Sequence, residues 1–381
     1  MTESAGEPRT SPGLMLVIAS LLGGGAERQL SDMANYWAAK GVNVTLATWS
    51  GPDVQDYYRL APNISRLWLD TRVSSRLPFA IHLASVRRIL QLRRVLQALR
   101  PDAVLSFMDI SNVCTILAAV GLDVRVVVAE RTHPAMNRVT SLPWRVLRRI
   151  FYSRADRVVA QTGHAAQWIA LKCRARAVVI PNALRRLPQI ARKRELLILG
   201  IGRLLYEKGF DILLQAFAQV APRFPAWRLG IVGEGTERRA LLQLREELNL
   251  IDRVEFTGEV REIENWMARA SLVVHPSRRE GFPNVVLEAM GMGVAVVCAD
   301  CHSGISELIA DGINGRLVPV GDVNALALVM AELMGAPGLR EQLGREAGKV
   351  RQHYEQSTIM RQWDSCLFEG ASPAVLASPE T

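Results

Sequence analysis

Short runs of apolar, often β-branched residues alternate with longer helical stretches along almost the whole chain, and few folds accommodate that alternation. In the first half the runs are L-M-L-V-I-A, V-N-V-T-L-A-T, A-V-L-S-F, V-R-V-V-V-A and R-V-V-A-Q; in the second they are L-L-I-L-G-I-G, R-L-G-I-V-G, V-E-F-T-G, L-V-V-H-P and V-A-V-V-C. Strands this apolar suit a parallel sheet covered by helices on both faces. Between the two sets lies V-V-I-P-N-A-L-R-R-L-P-Q-I-A-R-K-R-E, whose prolines and basic run read as a linker over about Pro181–Arg194. The expected architecture is α/β, two doubly wound Rossmann-like domains over 13–188 and 189–350 with a cleft between them. Ligands in such folds bind at the carboxyl ends of the strands. Residues 1–12 and 370–381 read as disordered termini.

At 381 residues the chain is long enough for two substantial cores. Its first dozen residues are polar and acidic, without a leader pattern, and Leu14–Leu22 is too short to span a bilayer. The reading is a protein neither exported nor integral to a membrane. Its five cysteines, an odd number, fit reduced thiols in a cytosol. Cys298-Ala-Asp-Cys301-His302 matches the spacing of haem attachment, but its place at a strand end before a glycine turn reads as strand end plus loop, with no metal expected. Charge is unevenly divided: residues 1–190 hold 25 Lys and Arg against 12 Asp and Glu, and residues 191–381 hold 21 against 25. A basic first half suggests that one domain faces something anionic. No stacking motif, zinc finger or helix-turn-helix pattern supports nucleic acid, so an anionic membrane surface is the preferred partner.

The most informative stretch runs from Arg278 to Pro319. Glu280 and Glu288 stand eight positions apart around Gly-Phe-Pro-Asn. Gly281 and Pro283 keep the two acids off one helix. Asn284 is expected as an N-cap, with a helix from about Val285 to Met290, Glu280 in the loop before it and Glu288 in its second turn. The bare helix end attracts an anion, and an acid on either side can hold hydroxyls. A nucleotide sugar, with its ribose, diphosphate and hexose, has that layout. Upstream, Arg203 and Lys208 flank the turn after L-L-I-L-G-I-G, where two cations can neutralise a leaving diphosphate without a metal ion. Val232-Gly233-Glu234-Gly235 lets backbone approach a ligand, and Phe256-Thr257-Gly258 can place backbone against a nucleobase.

G-R-L-x-x-E-K-G-F-D, V-G-E-G, F-T-G and E-G-F-P-N-V-V-L-E-A-M, in this order, resemble glycosyltransferase family 4 of the GT-B fold, from G-G-G-A-E-R near the start to N-G-R-L-V-P. The resemblance implies that Arg203 and Lys208 hold the donor diphosphate and Glu288 the ribose. Glu280 and the turn of Phe282, Pro283, Asn284 and Val285 would hold the transferred sugar and its β-phosphate, with Gly25, Gly202, Gly233 and Thr257 completing the donor set. It also implies retention of configuration, no essential metal or cofactor, and a helix over 351–369 crossing back to the first domain. Departure of the nucleotide diphosphate builds negative charge that cations and a helix end stabilise. Glu280 is assigned a positioning role; a covalent intermediate and a front-face route both stay open.

The first domain is expected to bind the acceptor. Gly24 and Gly25, in G-G-G-A-E-R after the first strand, open a helix towards a phosphate or acceptor. A dinucleotide fingerprint fails there, because Arg28 occupies its third glycine position and the second strand ends in Thr-Trp-Ser. Arg131 and His133 follow V-R-V-V-V-A, and His133, read as an acceptor or donor-hydroxyl ligand or else a plain loop histidine, joins Glu280, Arg203 and Lys208 among the candidate catalytic residues. E-R-x-x-P with S-F-M-D-I-S-N at 106–112 resembles bacterial members that extend lipid-linked oligosaccharides. Drawn as a helix, Pro143–Tyr152 puts Trp144, Val146, Leu147, Ile150 and Phe151 on one face and Arg145, Arg148 and Arg149 opposite. Such a helix suits an anionic membrane or a lipid diphosphate, or it packs on the core as an ordinary amphipathic helix. The arginines of 87–100 read as solvated surface. The expected function is a retaining glycosyltransferase, peripheral at the inner face of the cell membrane, moving a hexose from a nucleotide sugar (UDP-sugar preferred) to a lipid-linked saccharide. Transfer to a soluble acceptor and a sugar-nucleotide epimerase of the same fold are the alternatives, and a non-catalytic carbohydrate-binding protein is the weakest.

Overall fold

The computed structural model describes residues 11–71, 78–135, 141–188, 194–301 and 304–368, apart from the side chains of 78–83. The terminal segments expected to be disordered lie outside these residues, except for positions 11 and 12, and so does His302. The chain forms two compact units. The first takes the described residues of Met1–Gln161, Ala165–Ile180 and Met360–Thr381; the second takes Thr162–His164 and Pro181–Ile359. The main division falls between Ile180 and Pro181, ahead of the expected boundary between 188 and 189.

The first unit holds β1 (Gly13–Ile18), β2 (Asn43–Thr48), β3 (Ser65–Trp68), β4 (Ala103–Phe107), β5 (Arg125–Ala129), β6 (Arg157–Ala160) and β7 (Ala177–Val179). They form one sheet in the order β3-β2-β1-β4-β5-β6-β7, every pair parallel. All six residues of β1 are buried, as a central strand covered on both faces requires. The helix Asp109–Ala119 packs against β4 and β5, with the helices Pro78–Leu99 and Leu142–Phe151 against it.

The second unit holds β8 (Glu195–Ile201), β9 (Arg228–Val232), β10 (Val254–Gly258), β11 (Ala270–His275), β12 (Ala295–Ala299) and β13 (Arg316–Val318), in the parallel order β10-β9-β8-β11-β12-β13. In both sheets the first strand of the unit lies inside, with the second on one side and the fourth on the other. Each sheet thus has a topological switch point, between β1 and β4 and between β8 and β11, and open α/β sheets bind ligands at such points.

The last helix is Gln356–Phe368, and its residues from Met360 onward group with the first unit. There Trp37 Nε1 donates to Asp364 Oδ1 at 2.7 Å, and the fully buried Trp363 lies 6.2 Å from the Phe107 ring. The Trp37 indole N–H is satisfied by this bond, where leaving it bare would cost about 1–3 kcal/mol; the Trp363 Nε1, also buried, has no such partner among the described residues.

Candidate functional site

In the second unit, residues far apart in sequence meet at the carboxyl ends of the strands. Gly202 follows β8, Gly233 follows β9 and Gly258 ends β10. Gly202 N donates to Val232 O at 3.0 Å, and Gly233 N donates to Gly258 O at 2.9 Å. Gly233 has a φ of 140°, and a Cβ there would collide with the carbonyl oxygen of Gly202. Only glycine lets these turns lie against one another. Thr257, beside them, turns its hydroxyl onto Gly258 O at 3.1 Å.

Across the switch point, the turn after β8 carries Arg203 and Lys208, and the turn after β11 carries Glu280. Lys208 Nζ lies 2.5 Å from Glu280 Oε1. His275 Nε2, at the end of β11, lies 2.7 Å from the same oxygen, and Ser277 Oγ donates to it at 2.9 Å. The Glu280 side chain is only 10% exposed. Burial by itself raises a carboxyl's pKa, but the charges and hydrogen bonds of His275 and Lys208 outweigh it and hold Glu280 well below the usual carboxylate range. The carboxylate is thus ionised and oriented before any ligand arrives. The Arg203 side chain is exposed and makes no hydrogen bond or ion pair among the described residues.

The helix that follows is Asn284–Gly291, with Pro283 at the cap position. The expected cap is therefore displaced by one residue. Asn284 already has helical geometry, its side-chain oxygen accepts from Asn182 Nδ2 at 2.6 Å, and no side chain caps the helix end. Glu288 lies in the second turn, buried, and pairs with Arg185 at 3.0 Å between Nε and Oε1; Arg185 also contacts Glu264. Phe282 packs beside Tyr354, with ring centres 6.1 Å apart.

The candidates of the first unit are placed at its own strand ends, with two corrections. Gly24 and Gly25 open the helix Gly25–Ala39, and Tyr58 donates its hydroxyl to Gly24 O at 3.0 Å. His133 sits beyond β5 with its ring steeply inclined to that of Trp168, 6.4 Å between centres. Arg131, however, is buried, its guanidinium 4.6 Å from the Phe107 ring centre, and burial pushes its pKa down to about 9. Arg148 is also turned inward, at 1% exposure. Arg148 Nη1 lies 3.5 Å from Glu130 and 3.9 Å from Asp109, and Nη2 donates to Pro134 O at 2.9 Å. Two buried carboxylates need a cation, and this requirement fixes the rotation of the helix. Trp144, Leu147 and Phe151 accordingly pack inward, while Leu142, Val146 and Ile150 face out beside the exposed Arg149. The expected split into an apolar and an arginine face is not what the helix has.

Sequence reasoning missed His275, Ser277, Arg278, Asp211 and Arg185. His275 looked like the end of an apolar strand, and Arg278 only marked the start of the stretch that holds Glu280. The two cysteines of the haem-like spacing, Cys298 and Cys301, are both buried and free. No group of three or more metal-ligating side chains occurs among the described residues.

Two doubly wound sheets of this order define the GT-B class, and known structures agree. Sucrose-phosphate synthase from Thermosynechococcus elongatus superposes with a TM-score of 0.80 at 19% identity, over 94% of this chain and all of that one. HepE of Anabaena in complex with UDP gives 0.74 at 21%, over 93% and 99%. The sequence identifies the family. Residues 23–185 match glycosyltransferase family 4 and residues 186–350 match glycosyl transferases group 1, so this chain belongs to the glycosyltransferases built from that domain pair.

Among curated relatives, an alpha-1,4-N-acetyl-D-galactosaminyltransferase of Campylobacter jejuni, named for an undecaprenol-diphosphate-linked substrate, is 25% identical over 93% of this chain and 98% of its own length. The amylovoran biosynthesis glycosyltransferase AmsD of Erwinia amylovora is 24% identical over 93% and 99%. An exopolysaccharide phosphotransferase of Streptomyces coelicolor is 36% identical over 56% of this chain, a match that spans only 23% of that protein.

Proposed function

We propose that the protein transfers a hexose, with retention of configuration, from a nucleotide diphosphate sugar to a polyprenyl-diphosphate-linked saccharide in the assembly of a surface polysaccharide. The observation that carries the donor side is the Lys208–Glu280 contact at the β8/β11 switch point, with Arg203 on the same turn. As the bond to the nucleotide diphosphate breaks, negative charge grows on the leaving oxygen. Lys208, Arg203 and the uncapped end of Asn284–Gly291 supply fixed positive potential for it, which also supports a reaction independent of metal ions. Glu280, already ionised, orients the sugar hydroxyls and stabilises positive character at the anomeric carbon. Glu288 accepts from the ribose hydroxyls. Glu288 is now paired with Arg185, so ribose binding rearranges that pair without leaving the carboxylate bare.

The acceptor reading rests on the relatives named for lipid-linked or exopolysaccharide assembly and on the surface of the first unit. There, Leu142, Val146 and Ile150 lie exposed one helical turn apart, with Arg149 beside them. On Pro78–Leu99, Val86 and Leu90 repeat the pattern beside Arg87 and Arg94. An aliphatic row flanked by arginines fits the headgroup region of an anionic bilayer. No described helix is long and apolar enough to cross one. The protein is therefore proposed to work peripherally, at the cytoplasmic face.

The test is release of nucleotide diphosphate from a panel of uridine and guanosine sugars, in excess chelator, with and without a polyprenyl-diphosphate saccharide. Release that needs one donor and the lipid acceptor supports the reading. Release with soluble acceptors alone removes the lipid acceptor, and conversion of donor without any acceptor favours an epimerase.

A further inference from the structure

We infer that Arg278 is a positioning residue for the donor site: it clamps the turn carrying Lys208 to the turn carrying Glu280. The inference rests on the donor reading above and adds a residue to it. Lys208 reaches Glu280 through a flexible four-carbon stem, so where its ammonium sits depends on how rigidly the two turns are held together. Between them stands Arg278, two residues before Glu280. Its backbone N–H donates to Glu207 O at 2.8 Å. Its Nη1 donates to Tyr206 O at 2.7 Å and to Asp211 Oδ1 at 2.8 Å, and its Nη2 donates to Asp211 Oδ2 at 2.6 Å. The guanidinium lies 4.1 Å from the centre of the Tyr206 ring. One side chain thus touches residues on both sides of Lys208, across 67 positions of sequence.

A second contact makes the junction tight. Gly209, next to Lys208, has a φ of 69°, and a Cβ there would strike the carbonyl oxygen of Pro276. The two turns therefore interlock at Glu207–Arg278, Gly209–Pro276 and Lys208–Glu280. An exposed ion pair alone contributes little. The Arg278 side chain is only 19% exposed, forked onto one carboxylate and stacked on a ring, a geometry that a lysine cannot reproduce. The neighbouring Arg279 is exposed, without a hydrogen bond or ion pair among the described residues, and serves as the control.

The experiment compares calorimetric binding of UDP and GDP with that of uridine and guanosine, for wild type, Arg278→Ala, Arg278→Lys, Asp211→Ala, the Arg278→Ala/Asp211→Ala double variant and Arg279→Ala. Thermal melts establish that each is folded. For the preferred base, Arg278→Ala and Asp211→Ala should each weaken nucleotide diphosphate binding about tenfold or more, the scale of one lost charge-assisted contact, while nucleoside binding stays within about twofold. The double variant should be no worse than either single one, Arg278→Lys should fall between, and Arg279→Ala should match wild type. Equal losses for nucleoside and diphosphate in folded variants, or unchanged diphosphate binding, overturn the proposal while the donor reading stands. A wild type that binds neither UDP nor GDP overturns both.

Discussion

Lys208 and Glu280, 72 residues apart in sequence, meet at 2.5 Å where the crossovers leaving β8 and arriving from β11 part company. In the proposed reaction the contact couples the cation that meets the departing diphosphate with the carboxylate that meets the sugar. The carboxylate also gathers His275 and Ser277 onto one oxygen, so its geometry is set by protein before substrate enters. Preorganisation of this kind is what lets fixed charges lower a barrier without reorganising during the reaction.

Removing either cation of the turn after β8 should be costly to turnover. Lys208→Ala or Arg203→Ala should lower kcat about 10²–10³-fold, the usual scale for a lost transition-state stabiliser. Steady-state release of nucleotide diphosphate measures this, and near-normal rates in either variant would remove that residue from the diphosphate site.

Glu288→Ala should weaken nucleotide binding by about 1.5–3 kcal/mol, the range for hydrogen bonds to a charged group. Affinity for a 2′,3′-dideoxy nucleotide should barely change in the same variant. A loss of equal size for both nucleotides would mean that Glu288 serves only to hold Arg185.

Glu280 and Glu130 should respond to pH in opposite senses. Glu280 is held below its ordinary value of 4.5, so its contribution to stability is present above that value and is lost as pH falls towards the folded-state pKa. Glu130 is pushed up to about 7, chiefly by burial and against the pull of Arg148. Its protonated form is the one favoured on folding, so that contribution is full below 4.5 and is lost as pH rises to about 7. Denaturant melts across pH 3–8 should show Glu280→Gln flattening the acid side of the profile and Glu130→Gln flattening the neutral side. Parallel profiles for wild type and both variants would contradict these assignments.

Arg148→Ala should destabilise the protein by about 3–5 kcal/mol, because it leaves buried Glu130 and Asp109 without their cation. Arg149→Ala, on the outer face, should stay within about 0.5 kcal/mol. Thermal unfolding of the two variants separates a buried ion-pair role from a surface role.

Vesicle sedimentation tests the outer face. Binding to vesicles with 30% phosphatidylglycerol should exceed binding to neutral phosphatidylcholine, and should drop in Val146→Glu/Ile150→Glu and, by about 1 kcal/mol per arginine, when Arg87, Arg94 or Arg149 is neutralised. Retained binding in all of these variants would return both helices to ordinary surface.

Much of this was legible in the sequence, because the signals were local. The buried strands read as uninterrupted apolar runs, and the turn glycines Gly202 and Gly233 stood directly after them. The edge strands Ser65–Trp68, Ala177–Val179 and Arg316–Val318 were not legible. They are three or four residues long and partly exposed, and pairing with a neighbour, not composition, makes them strands. The orientation of Leu142–Phe151 was misread for a related reason. A helical wheel ranks residues by polarity, whereas Glu130 and Asp109, from other elements, decide which arginine goes inside. Arg278 and Arg279 are indistinguishable as letters; the positions of Asp211 and Tyr206 in space separate them.

The most direct test of the account is a crystal structure with UDP or GDP bound. The account predicts the β-phosphate within about 3 Å of Lys208 Nζ, with Arg203 turned towards it and the ribose hydroxyls on Glu288. A nucleotide with its phosphates away from Arg203 and Lys208, and Lys208 still sealed against Glu280, would contradict it.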